Sequence, residues 1–573
     1  MNKFKNILHN LKFNQLFFLG LLIILLVVLS ILELLSLGSI PVLLNTILEQ
    51  KNIQTNFLDL NFLKDSFINL SKKKQVELIS IIIICLFVFK NLFNALIFFF
   101  QGQLLKNIKI YISQKLFRYY LSQDYLLLIK KNTSVIQRIL SIDVGNTIIY
   151  ILSLLNLIKE VFILGAIIIL LLLFNTEISL FLFSVFFVVA SLFYYLNKKK
   201  IFIRGKEIQV LSSNLIKTIY ETIGLFKELK IYDLKKFQFS NYLNRVKKTE
   251  KNIFLNYFIT SLPRLFLELT AVILIVLIVL FQLHKDQNII NILPFLSLVV
   301  VVALRMIPIF NTLATSLSNL KAIQPSFDLI FSELNTIKLD LKNNDKSNFI
   351  EFKKNIFLKK ISFKYKESDK NVINDLTLEI SKGDKIGLIG NSGSGKSTLI
   401  NIIMGLLKHT NGKIFIDDQE IHRDKNQFIM NIGYVPQEIF LFEDKLKKNI
   451  ALGLNENEIS MEKLLESSKA AQIIEVLDNL EDGFDTLVEE NGRNFSVGQK
   501  QRIGVARALY RNPELLIFDE STSSLDKATE RKFIDDVFSI NKNKTIVFIS
   551  HKMSTLDQCD KIFDIKKNTF IKL

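Results

Sequence analysis

Cysteine is nearly absent from this 573-residue chain: two occur, Cys85 inside an apolar run and Cys559 near the end. That scarcity leaves no disulfide framework and no CxxC zinc pair. Acidic residues are also in short supply, 54 Asp and Glu against 72 Lys and Arg, for a net charge of +18. Such an excess raises nucleic acid as a partner, but no RNA- or DNA-binding motif accompanies it, and none is expected to bind. Basic loops that hold membrane spans in place, on a composition heavy in Lys, Asn, Ile and Phe, account for the charge more simply. What is abundant is apolar: half of the residues are hydrophobic, 49 are Phe, and mean hydropathy is +0.32. The length speaks for two or three domains, and the hydropathy for an integral membrane protein in a lipid bilayer.

The opening MNKFKNILHNLKFNQLFFLGLLIILLVVLS superficially resembles a cleaved signal. Its apolar region continues to about Leu48, well past a signal's apolar stretch of about 7–15 residues. The expectation is a retained first span behind a short basic, amphipathic segment. Further apolar runs near residues 76–100, 148–174, 178–196, 254–283 and 289–318 bring the number of spans to six. Each can cross a hydrocarbon layer of about 30 Å with roughly 20 helical residues. Lysine and arginine crowd the loops after spans two and four, whereas the connections after spans three and five are short. The positive-inside rule then places both termini and both basic loops in the cytoplasm. Lys72, Lys73 and Lys74 oppose that orientation but are outweighed. In the first outer loop, Leu60, Leu63, Phe67 and Leu70 fall at helical spacing. Residues 57–70 are thus either an amphipathic helix at the outer interface or a loop with incidental apolar residues.

A polar linker at 336–350 separates this membrane domain, 1–335, from a stretch of different texture, 351–573, where short β-like runs alternate with helical patterns. That alternation predicts an α/β nucleotide-binding domain. GLIGNSGSGKST supplies a strand, a glycine-rich turn and a helix start, with Gly390, Gly395, Lys396 and Ser397 filling the phosphate-loop pattern. The backbone N–H groups of Gly390, Asn391, Ser392, Gly393, Ser394, Gly395 and Thr398 are suited to ATP phosphates at a helix N-terminus. Lys396 adds positive charge, and Ser397 offers a hydroxyl to Mg2+. LLIFDE follows as a buried strand ending in Asp519, for the metal, and Glu520, to deprotonate the attacking water. The competing reading, a pair of acids capping a turn, loses force beside the phosphate loop.

NFSVGQKQRIGVARAL resembles the signature region of the ABC transporter ATPases, with Ser496, Val497, Gly498 and Gln499 matching the motif. The resemblance implies that Tyr365 stacks on adenine and that Gln437 in YVPQ senses metal and γ-phosphate. It further implies that Asp526 belongs to the D-loop and His551 is the switch histidine. Val497 stands where the motif has its first glycine, and Phe495 replaces the usual leucine; a β-branched residue would be strained if φ there were positive. In this family one subunit's signature completes the other's ATP site, so a chain with one of each must pair. A homodimer is the simplest assembly and a heterodimer the alternative. Six spans followed by one such ATPase resemble a half-transporter of the ABC exporter type, with coupling helices implied near Asp124–Ser134 and Thr218–Gly224.

Three basic residues interrupt the spans: Lys90, Arg264 and Arg305. They lie 16 residues from Lys74, 20 from His284 and 17 from Asn288, or roughly 24, 30 and 26 Å from the outer helix ends. A charge near mid-bilayer costs roughly 2.5–3.5 kcal/mol on insertion scales and should meet a partner or a cavity. Glu268, one turn from Arg264, and Glu33 in the first span are candidate partners. The alternative is an anionic headgroup, which arginine's fork and lysine's point charge both suit. FVFKNLFNAL, LPRLFLE and ALRMIP, with the outer segment, look like the corresponding parts of PglK-type lipid-linked oligosaccharide flippases. That resemblance implies ATP-driven flipping of a polyprenyl-diphosphate-linked glycan across a bacterial inner membrane, with Lys90, Arg264 and Arg305 binding the substrate. Two other readings stay open: an exporter of other lipids, drugs or peptides, and a membrane-anchored regulatory ATPase without cargo.

Overall fold

The structure is a computed structural model and describes residues 13–48, 71–174, 176–284, 289–340, 352–365, 370–391, 393–421, 432–520, 527–540, 544–550 and 556–572. The expected outer segment 57–70 lies outside the described residues, as do Ser392, Asp526 and His551. The chain divides into two compact units, Met1–Gln123 with Ile129–Leu341 and Asp124–Leu128 with Lys342–Leu573.

The first unit is helical. Its elements are α1 (Phe13–Leu48), α2 (Lys72–Leu121), α4 (Thr133–Arg138), α5 (Val144–Phe174), α6 (Thr176–Gly224), α7 (Phe226–Ile231), α8 (Lys235–His284) and α9 (Ile289–Asp340), with α3 (Tyr125–Lys130) at the division. Six helical stretches among the described residues are long and apolar enough to cross a membrane. The helices differ from the sequence expectation in length. α2, α6, α8 and α9 run for 50, 49, 50 and 52 residues, about 75 Å each, so much of the basic sequence read as loop is continuous helix. The segments that follow spans two and four are rich in helix-forming Lys, Leu and Gln and contain no proline to stop the helix.

Between α4 and α5 the ladder widens into one π-helical segment, Ile139–Asp143. Asp143 is fully buried there and accepts three hydrogen bonds, from Arg138 Nε at 3.0 Å, Gln209 Nε2 of α6 at 3.3 Å and Ser326 Oγ of α9 at 2.6 Å. Arg138 Nη1 also donates to the Gln209 carbonyl, 3.0 Å. This network ties three helices at one level. Aromatic packing adds to it: Tyr150 of α5 stacks on Phe327 of α9 with centroids 4.1 Å apart. The main apolar core joins Leu22, Leu26 and Leu29 of α1 to Ile97 and Leu104 of α2 and Ile167 and Leu170 of α5.

The second unit contains two sheets. The first is antiparallel, in the order β2 (Ile373–Ser381), β1 (Asn355–Phe363), β4 (Asn411–Ile416), β5 (Gln419–Glu420). The second has six strands in the order β10 (Thr569–Lys572), β9 (Lys561–Asp564), β3 (Lys385–Ile389), β8 (Thr545–Ile549), β7 (Leu515–Asp519), β6 (Ile432–Val435). All its pairings are parallel except that of β9 with β10. β8 is buried at all five positions, and β7 at its first four. Continuous apolar runs such as LLIF and TIVFI are what a sheet covered on both faces requires.

Candidate functional site

Four adjacent parallel strands, β3, β8, β7 and β6, have their carboxyl ends on one edge of the sheet. The phosphate loop follows β3, Asp519 ends β7 with Glu520 next, and Gln437 comes two residues after β6. The sheet topology thereby brings together residues more than a hundred positions apart, at the edge where open α/β sheets bind ligands.

Gly390, Gly393 and Gly395 have φ of 154°, 79° and 93°. The last two lie in the left-handed region, which glycine adopts without strain and which lets the loop curl before α10 (Lys396–Ile403) begins. A Cβ on Gly390 would come within 2.4 Å of Ser394 Oγ. That hydroxyl is shielded and has no hydrogen-bond partner among the described residues. Lys396 is buried and its Nζ donates to the Gly390 carbonyl at 2.7 Å and the Asn391 carbonyl at 3.3 Å. Burial lowers its affinity for its proton, and the carboxylates of Glu520 and Asp519 pull the other way. An orphan hydroxyl and a buried ammonium beside a glycine-rich turn at a helix N-terminus fit a phosphate chain.

Across the sheet, Gln437 Nε2 donates to Glu520 Oε2 at 3.2 Å, and Glu520 has a left-handed φ of 48°. Tyr434 OH donates to Asp519 Oδ2, 3.2 Å. Burial pushes the Asp519 carboxyl upward, opposed by the Tyr434 hydrogen bond. Among the described residues no group of three His, Cys, Asp or Glu side chains could hold a metal ion. The donors present, the Ser397 hydroxyl, the Gln437 amide and Asp519, fit Mg2+, which keeps water and takes phosphate oxygens as partners. Tyr365 OH lies 3.2 Å from Thr398 Oγ1, and its ring meets Phe363 edge-on at 4.9 Å.

Ser496 caps α11 (Val497–Tyr510): its hydroxyl accepts from Gln499 N at 3.3 Å, and Gln499 Oε1 accepts from Ser496 N at 2.8 Å. This reciprocal capping box leaves Val497 as the first helical residue, absent from the positive-φ positions and 61% exposed. The β-branch is therefore accommodated without backbone strain. Phe495 is buried in the core beneath.

Sequence reasoning missed the parts that hold α11 against the Gln437 segment. A Cβ on Gly504 would lie 2.3 Å from Ile439 Cδ1, so the glycine lets the Ile439 side chain seat where it does, and a larger residue would make it shift. Arg507 Nε donates to the Asn449 carbonyl at 2.7 Å and Nη1 to the Phe440 carbonyl at 3.0 Å. Tyr434, three residues before Gln437 in YVPQ, was likewise missed as the partner of Asp519.

The membrane unit holds a second candidate site. Lys90 of α2 and Arg305 of α9 both pair with Glu33 of α1, Lys90 at 3.3 Å. Lys159 and Glu160 of α5, 3.7 Å apart, line the same cavity of about 120 Å³. Arg264 does not line it. Its side chain is 63% exposed and pairs at 3.2 Å with Glu268. The sequence pointed to Lys90, Arg305 and Glu33; it gave no hint of Lys159 and Glu160, an adjacent pair inside span three. As for the implied coupling segments, α3 and α4 occupy residues 125–130 and 133–138, and α6 ends at Gly224 before α7.

Residues 373–523 match the model of the ABC transporter family. The chain is 37% identical over 223 residues to the leukotoxin translocation ATP-binding protein LktB of Mannheimia glucosida, covering 39% of this chain and 31% of that protein. It is 35% identical over 214 residues to the putative multidrug export ATP-binding/permease protein YgaD of Bacillus subtilis, covering 37% of each. With the multidrug resistance-like ATP-binding protein MdlB of Buchnera aphidicola it shares 35% over 246 residues, covering 43% and 41%. These alignments span about a third of the length of the relatives. A solved structure of a bacterial Atm1-family ABC exporter with ATP bound superposes with a TM-score of 0.76, covering 95% of this chain and 93% of that one at 19% identity. Six membrane helices followed by a phosphate-loop domain thus form the ABC exporter fold.

Proposed function

We propose that this chain is an ATP-driven translocase that flips a polyprenyl-diphosphate-linked oligosaccharide from the inner to the outer leaflet of a bacterial cytoplasmic membrane, as a homodimer. ATP supplies the free energy when bound between one protomer's phosphate loop and its partner's signature. In this reading Tyr365 leaves Thr398 to stack on adenine, and Lys396, Ser394 and the loop N–H groups hold phosphate. Ser397, Gln437 and Asp519 hold Mg2+, Glu520 takes a proton from the attacking water, and His551 and Asp526 complete the site with Ser496, Gly498 and Gln499. Glu520 is oriented for its task by the Gln437 amide, 3.2 Å away.

Homodimerisation is supported by what one protomer leaves uncovered. At the α6–α8 end, Tyr220, Ile223, Ile231, Tyr232 and Phe239 are all more than 60% exposed, an apolar area larger than single scattered residues make.

The observation that carries the cargo reading is the meeting of Lys90, Lys159 and Arg305, three cations from three helices, at one cavity with two carboxylates. Surplus positive charge inside a membrane bundle suits an anionic headgroup. Arg264, which lies outside this cavity, contributes in this reading by exchanging Glu268 for another part of the same headgroup. A second reading, export of another cargo, draws on the relatives, whose names refer to toxin translocation and multidrug export. Reconstituted vesicles decide between them. The flippase moves a short-chain polyprenyl-diphosphate sugar in an ATP-dependent way, and a variant with Lys90, Arg264 and Arg305 all neutral hydrolyses ATP but moves none. Unchanged movement by that variant overturns the charge-based reading, and ATPase stimulation by cationic hydrophobic compounds in its place favours the exporter of other cargo.

A further inference from the structure

The acid at the centre of this cavity has a role that the cations alone do not explain. Glu33 is 1% exposed and is the only carboxylate paired with both Lys90 and Arg305 among the described residues. Its two oxygens are divided between them, Oε2 to Lys90 and Oε1 to Arg305. Those cations come from α2 and α9, so Glu33 of α1 links three helices through one side chain. With Lys159 and Glu160 on the cavity wall, the cluster counts three positive and two negative groups, a surplus of one. Its volume of about 120 Å³ leaves room for several waters or a compact oxyanion. Asn94 lines the same cavity, and its shielded Oδ1 has no hydrogen-bond partner among the described residues. The wall is therefore polar and incompletely satisfied.

We propose that Glu33 is a resident counter-ion that occupies the place of a phosphate oxyanion and must be displaced when a phosphate-bearing amphiphile enters, so that it sets how tightly the headgroup is held. Two cations facing one another in a low-dielectric bundle repel and are poorly solvated, so an empty chamber needs an internal anion. A carboxylate and a phosphate present the same chemistry to an arginine fork and an ammonium: two oxygens, negative charge, charge-assisted hydrogen bonds. The exchange is one of ion pairs, with no bond made or broken. A translocator gains from such competition, because a site must bind strongly enough to load and weakly enough to release. Unopposed, Lys90 and Arg305 would hold a diphosphate too long.

This inference rests on the proposed phosphate-bearing cargo, and its test separates the two. Full-length protein in nanodiscs is titrated with a short isoprenyl diphosphate, with the corresponding neutral alcohol, and with inorganic pyrophosphate. Glu33→Gln keeps the shape and removes the competing charge. It is expected to bind the isoprenyl diphosphate about tenfold tighter or more than wild type, the scale of one removed charge pair, with slower ATP-driven movement and unchanged affinity for the alcohol. A matching gain for pyrophosphate assigns the site to the headgroup alone; a gain confined to the isoprenyl form assigns it to the lipid-borne group. Equal diphosphate affinity in the two proteins overturns the counter-ion role and leaves the cargo reading standing. Failure of both proteins to bind either diphosphate overturns both. If Glu33→Gln does not fold, Glu33→Asp, whose shorter stem weakens both pairs, must show a gain in the same direction; equal affinity there overturns the proposal.

Discussion

Replacing Asp143 by alanine removes the acceptor at the centre of the network that joins α4, α6 and α9. Asp143 is fully buried and Arg138 nearly so, with 3.0 Å between Nε and Oδ2. Breaking a buried ion pair by deleting one partner costs about 3–5 kcal/mol, because the remaining charge stays buried. Arg138 would keep only its hydrogen bond to the Gln209 carbonyl, and the Gln209 amide and Ser326 hydroxyl would each lose an acceptor. Those losses fall within the same range and are not added to it. At about 2 °C per kcal/mol for a unit of this size, the thermal midpoint falls by about 6–10 °C at fixed scan rate. The assay is fluorescence-monitored melting of detergent-solubilised protein, for Asp143→Ala, Arg138→Met and the double variant. The double variant leaves neither charge behind and should melt above both single variants. Single variants within about 0.5 kcal/mol of wild type, the range of ordinary surface changes, or a double variant worse than either single one would refute the account.

Other expected outcomes follow from the second unit. Glu520→Gln retains ATP but releases phosphate at least about 100-fold more slowly, the contribution of one general base; rapid release by this variant removes Glu520 from that role. Val497→Gly leaves turnover unchanged and lowers the melting midpoint slightly, because Val497 is already an unstrained first helical residue and glycine costs about 0.5–1 kcal/mol in a helix. A large gain in turnover would mean that the side chain obstructs a bound nucleotide. Burial raises the Cys559 thiol from 9.0 to about 12, so a Cys85→Ala protein should resist maleimide at pH 8 until denatured. The sign is that of a raised pKa: the folded state is favoured below 9.0, and that contribution is lost as pH climbs toward about 12. Prompt labelling of native protein at pH 8 would contradict that burial.

The nucleotide half was legible at the level of motifs because phosphate recognition depends on local backbone. A strand, a glycine turn and a helix start are adjacent in GLIGNSGSGKST, and their geometry follows from φ values open to glycine. Distances across the sheet were not legible. That Gln437 reaches Glu520, and Tyr434 reaches Asp519, depends on β6 pairing with β7 in parallel, a register no local pattern states. The membrane half was legible as six apolar runs, yet their helices extend far beyond hydrocarbon length, since hydropathy marks where lipid is and says nothing of where hydrogen bonding stops.

By itself, then, the sequence determined the two-part order of spans and phosphate-loop domain, because apolar length and glycine-bearing turns are properties of contiguous residues. Only the tertiary structure decided which charges share a cavity. Lys90 and Arg305 meet on Glu33 while Arg264, read as their equal, pairs with Glu268 outside that cavity. Depth along a helix can be counted from residues, but the direction in which a side chain points around the helix is set by the packing of neighbouring helices.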